Sequence, residues 1–151
     1  MTDKAASLVD QAKQWATYYG EFTEGEQSVV LATLLRQRAA WENNDADGVA
    51  EVFAENGSVL FGDEQLVGRE SIRSYMAEAF SGRYKNSRFV DEPLEIRLLT
   101  ESVAVVISQG GVLAEHEQEL PTDREVRTTW IMVLHDEQWW LISQQSSPVT
   151  G

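Results

Sequence analysis

The stretch AAWENNDADGVAEVFAENGSVLF, Ala39 to Phe61, decides the fold, because three apolar runs in it are separated by two clusters of Asn, Asp and Gly. Upstream, Val30, Leu31, Leu34, Leu35 and Trp41 fall on one stripe, so a helix is expected from Glu26 through Trp41. The residues ENND then supply a turn and an N-cap at Asp45. The spacing predicts a short second helix with Val49, Val52 and Phe53 on one face, closed by Glu55 to Gly57 with the glycine as a left-handed cap. SVLF, Ser58 to Phe61, reads as a strand directly after this helical hairpin.

Working outward, GDEQLVG is expected to be a loop leading to Arg69, and RESIRSYMAEAF places Ile72, Tyr75, Met76, Ala79 and Phe80 at helical spacing. Beyond Gly82 the period changes to two. Long strands are expected over SRFVDEPLEIRLL, SVAVVISQGGVLAEHEQEL, REVRTTWIMVLH and QWWLISQQS, joined by short turns into an antiparallel meander. Pro93 and the pair Gly110 and Gly111 predict bulges that curve the sheet. Leu8, Ala12, Trp15 and Tyr19 predict one more amphipathic helix before the domain, giving an N-terminal extension at 1–25 and a domain at 26–151. Helices followed by long antiparallel strands define an α+β domain with the helices on one face of the sheet.

The 151 residues suit one core, and 42% hydrophobic with 25% charged residues is a globular composition. A net charge of −13 repels phosphate backbones and anionic lipid heads, so nucleic acid and membrane are not expected partners. Without cysteine there is no thiolate metal site or thiol nucleophile. The opening MTDKAASLVDQAKQW lacks the apolar core of a signal peptide, and a cytoplasmic protein is expected.

LRQRAAWENNDADGVAEVFAENGSVLF followed by LVGRESIRSYMAEAF resembles the opening of the SnoaL-like, nuclear transport factor 2-like superfamily. The resemblance covers about Glu26 to Ser147. It implies a cone-shaped, cystatin-like α+β barrel, three helices against a curved antiparallel sheet, with a concavity for function. Within the superfamily the chain is similar to the small SgcJ/EcaC-type proteins of enediyne polyketide clusters. That similarity implies a role in secondary metabolism on a hydrophobic polyketide intermediate, with a polyketide synthase or another biosynthetic protein as a candidate partner.

The enzyme relative with the same fold, ketosteroid isomerase, uses a carboxylate base beside a tyrosine and a protonated aspartic acid. Alignment on DADGVAEVFAE puts Gln37, Phe61 and Trp130 at those three positions, so that mechanism is not expected here. The replacements instead imply a pocket with apolar, stacking walls for an unsaturated ligand, formed by Trp41, Phe61, Tyr75, Phe80 and Trp130, with Gln144 as a polar lining group. Candidates for proton transfer are Asp63 in the loop after Phe61, Gln37 on the inward stripe, and His116 if the EHEQE strand end dips inward rather than forming a charged edge. Arg38 is expected to project outward near the helix end, and His135 to be exposed. No metal and no cofactor are expected, since no second histidine stands at zinc-ligand spacing and no phosphate-binding glycine loop follows a strand.

Trp139 and Trp140 must point to opposite faces of their strand, and the resemblance implies that a homodimer through the outer sheet face covers the second. Three readings stay open: a small-molecule binder, a cofactor-independent cyclase or isomerase, and a non-catalytic association domain.

Overall fold

The structure is a computed structural model and describes residues 26–61 and 63–149. The expected helix in 1–25 lies outside the described residues. The elements run α1 (Glu26–Glu42), α2 (Ala46–Glu51), β1 (Phe53–Phe61), β2 (Glu64–Val67), α3 (Arg69–Phe80), β3 (Arg88–Thr100), β4 (Val103–Leu113), β5 (Val126–His135) and β6 (Gln138–Pro148). One curved six-stranded sheet has the order β2-β1-β6-β5-β4-β3, and the helices pack on its inner face. The last four strands form the expected antiparallel meander. β1, however, joins β6 in parallel, so the sheet is mixed rather than wholly antiparallel.

The break between α1 and α2 is built by two side chains. Asn44 takes the left-handed conformation, with φ of 50°, and its amide donates to the carbonyls of Trp41 and Ser87. Asp45 then caps α2 by accepting from the Gly48 N–H at 3.1 Å. The predicted stripe of α1 is buried: Val30 and Leu31 are fully inaccessible and Trp41 is 1% exposed.

Downstream of Asp45 the expectation is corrected, because α2 stops at Glu51 and Phe53 already belongs to β1. The Leu141 N–H bonds to the Val52 carbonyl at 2.8 Å, so pairing with β6 claims the chain before a second helical turn completes. Gly57 is therefore not a helix cap. It sits where the register slips between Phe53 and Ser58, and a Cβ there would meet the Leu141 carbonyl oxygen at 3.0 Å. GDEQLVG is also more than a loop, since Glu64–Val67 pairs with β1 as a short edge strand whose Leu66 is buried.

The meander slips at Pro93 as predicted, but Gly110 and Gly111 pair in register and carry no bulge. The β3–β4 register shifts between Pro93 and Glu95. Opposite Asp91, a Cβ on Gly110 would stand 1.9 Å from the Val90 carbonyl oxygen, so only glycine lets β3 and β4 come this close. β4 ends at Leu113, short of the expected strand, and AEHEQEL turns away from the sheet. Glu117 closes that turn by accepting from the Ala114 N–H at 2.9 Å and pairing with Arg124.

The tryptophan pair divides as expected: Trp139 is 4% exposed in the core and Trp140 faces outward. Within the chain the cover of Trp140 is Arg69, whose guanidinium lies 5.3 Å from the ring centroid. The same guanidinium donates twice to the Phe53 carbonyl, at 3.0 and 2.7 Å, and so fastens α3 to the start of β1.

Candidate ligand cavity

A cavity of about 360 Å³ opens at the end of the sheet where β3 and β5 begin and β1, β4 and β6 end. Its floor is aromatic. Trp41, delivered by the last turn of α1, meets Phe61, Phe80, Tyr84 and Phe89 at centroid distances of 5.3 to 6.2 Å. The indole N–H of Trp41 donates to the Ser87 hydroxyl at 2.9 Å, and Ser87 donates to the Tyr84 carbonyl. Trp41 therefore offers the cavity π surface and no free donor. Val112 and Val126 extend the apolar wall, while Asp123, Arg124 and Glu125 form a charged lip.

Of the residues expected to bind a ligand, Trp41, Phe61 and Gln144 line the cavity. Tyr75 stands behind Phe61, stacked at 5.2 Å with ring planes 1° apart, and Phe80 packs edge-on against Trp41. Trp130 also lies one layer back, edge-on to Phe89 at 6.1 Å, with its N–H donated to the Ser108 hydroxyl at 2.7 Å. Phe89, Tyr84 and Val112 take wall positions that the sequence reading passed over. Phe89 shares one face of β3 with Asp91 and Pro93, and the period of two at the start of that strand is the signal that could have found it.

The three proton-transfer candidates are not brought together. Asp63 is exposed beside β2, and His116 is exposed in the turn after β4; neither lines the cavity. Gln37 is 2% exposed and donates from Nε2 to Oε1 of Gln144 at 3.0 Å. Arg38 does not project outward. It turns toward β3, where Nη1 donates to the Asp91 carbonyl at 3.5 Å.

Asp91 is the ionisable group the sequence reading missed. It lies on the inner side of β3 between Phe89 and Pro93, and its carboxylate accepts from the Ser108 hydroxyl. Burial pushes its carboxyl above the ordinary range, against the smaller downward pulls of the Ser108 hydrogen bond and the Arg38 charge. At the lip, the Arg124 hydrogen bond holds the Glu117 carboxyl below its ordinary range. Among the described residues no cluster of three His, Cys, Asp or Glu could hold a metal, and no helix is long and apolar enough to cross a membrane.

Solved structures share this architecture. A domain of unknown function with a cystatin-like fold from Nostoc punctiforme superposes with a TM-score of 0.76 at 21% identity, over 83% of this chain and 78% of that one. A cystatin-like NTF2-like protein from Novosphingobium aromaticivorans gives 0.71 at 14% identity, over 100% and 91%. A ketosteroid isomerase-like protein from Erwinia carotovora atroseptica gives 0.68 at 15% identity, over 85% and 100%. These superpositions establish the fold class: a cystatin-like, NTF2-like α+β domain. The SnoaL-like domain model matches residues 30–151, and the chain belongs to that family. No curated relative matches the chain.

Proposed function

We propose that the chain holds a hydrophobic, unsaturated small molecule in this cavity, an enediyne-type polyketide intermediate of secondary metabolism in the cytoplasm. The observation that carries the reading is the aromatic floor, where Trp41 presents its ring face because Ser87 has taken its N–H. The polyketide assignment is supported by the sequence resemblance alone. Its test is to mix the purified protein with a conjugated polyene in the dark, follow the absorbance spectrum and recover the ligand. An immediate band shift with intact polyene supports binding, and an unchanged spectrum counts against it.

A second reading, a cofactor-independent cyclase or isomerase, is favoured by Asp91. Its carboxyl, held on Ser108 in the layer behind Phe89 with a raised pKa, suits proton transfer better than the exposed Asp63 or His116 for a ligand that reaches past Phe89. Slow conversion of the polyene to a new product, lost in Asp91→Asn, would support it. We further propose that a second copy packs on the outer sheet face, where Val105, Ile107 and Val133 stand half-buried. Sedimentation of a single 17.0 kDa species at micromolar concentration would count against that dimer.

A further inference from the structure

The Gln144 side chain is 3% exposed, belongs to the cavity wall, and has only part of its hydrogen-bonding capacity engaged. Its Oε1 accepts from Nε2 of Gln37, and in that orientation its own Nε2 has no acceptor among the described residues. The neighbouring polar groups are already matched to one another. Trp130, directly across the strand pair, donates to Ser108, and Ser146 bonds Thr128 at 2.8 Å. A buried amide N–H₂ without an acceptor is costly unless something entering the cavity supplies one.

The geometry points to a ligand carbonyl oxygen docked on Nε2 of Gln144, with the conjugated body of that ligand lying against Trp41, Phe61 and Phe89. The assignment rests on the cavity reading above and narrows it to neutral conjugated ketones, aldehydes or esters. An N–H donor requires an acceptor, so a hydrocarbon leaves it unmatched. Asp123 and Glu125 on the lip, in a chain of net charge −13, oppose a free carboxylate. The flat aromatic surfaces favour a carbonyl in conjugation over one on a flexible chain.

The test uses two probes of one shape, 2-acetylnaphthalene and 2-isopropenylnaphthalene, in which a methylene replaces the oxygen. Calorimetric titration of the full chain is expected to show the ketone binding about tenfold more tightly, the effect of one buried hydrogen bond. Gln144→Leu is expected to erase the preference while still binding the alkene. The ¹³C-labelled carbonyl stretch, read in the wild-type complex and so independent of any variant's folding, is expected to fall below its frequency in hexane. Equal affinities with an unshifted carbonyl would overturn the assignment and leave the apolar cavity standing. A preference for the corresponding alcohol over both probes would overturn it too, by showing the amide pair inverted. Binding of neither probe would remove the cavity reading itself.

Discussion

The Ser108 hydroxyl accepts the indole N–H of Trp130 at 2.7 Å, joining β4 to β5 beneath the cavity wall. Because an indole can only donate, the hydroxyl proton is left for the Asp91 carboxylate on β3. Three strands are thus connected by one directional chain of hydrogen bonds that ends on a desolvated acid. The chain sits directly behind Phe89, so the same packing that builds an apolar wall also fixes an ionisable group in the interior.

That acid gives a pH dependence with a definite sign. In the unfolded chain Asp91 titrates near its ordinary 3.8, and in the folded chain burial raises the value. Below the unfolded value it is neutral in both states and has no effect; as pH rises through the folded value, the native state loses stability. Asp91→Asn keeps an oxygen for Ser108 and cannot ionise. The variant's advantage in urea midpoint over the wild type is expected to grow from acid to neutral pH. An advantage that stays constant across that range would mean the Asp91 carboxyl is not titrating in the interior.

Gly110 and Gly82 make a matched pair for backbone crowding. A Cβ at Gly110 would strike the Val90 carbonyl and the Asp91 backbone, whereas at Gly82 the nearest atom is 3.6 Å away. Gly110→Ala is expected to cost roughly 1–3 kcal/mol or more by prising β3 from β4. Gly82→Ala is expected to be neutral or to stabilise by about 0.5 kcal/mol through the unfolded state. Equilibrium urea unfolding distinguishes them, and equal effects would mean the β3–β4 contact is looser than this.

How far the sequence showed this site follows from where its information is local. The N-cap at Asp45, the inward stripe of α1 and the phase of α3 were legible because they depend on neighbours three or four residues apart. The parallel pairing of β1 with β6 was not, since it joins segments some ninety residues apart. Strand phase on β6 was legible only up to a slip. Trp139 and Leu141 face inward, and strict alternation would then bury Gln145; the register shift opposite Ile131 and Met132 turns Gln144 inward instead. Asp91 was hidden by its neighbour, because Pro93 drew attention to the bend in β3 and away from the acid that shares its face.

Arg69 is expected to resist conservative replacement. Its Nε and Nη2 both reach the Phe53 carbonyl while its flat guanidinium covers Trp140, a geometry a lysine ammonium cannot reproduce. Arg69→Lys should cost about 1.5–3 kcal/mol, the range for hydrogen bonds to a charged group. The loss should be read by thermal or urea unfolding with no change in polyene affinity, because Arg69 does not line the cavity.

The wall and the layer behind it can be separated by two mild substitutions. Phe89 lines the cavity, so Phe89→Leu removes one aromatic face from the ligand and is expected to weaken polyene binding by about threefold to tenfold, the worth of an aromatic pair. Trp130 is 1% exposed; it packs behind Phe89 and pairs across the strands with Gln144 without itself lining the cavity. Trp130→Phe keeps a ring against Phe89 but removes the N–H that Ser108 accepts, which is expected to cost about 1–3 kcal/mol of stability. Polyene affinity, measured below the temperature at which the variant begins to unfold, should stay within twofold of the wild type. If Trp130→Phe weakened binding as much as Phe89→Leu, the ligand would reach past Phe89 into the Ser108 layer. Asp91 would then stand within its reach, and the proton-transfer reading would gain at the expense of simple binding.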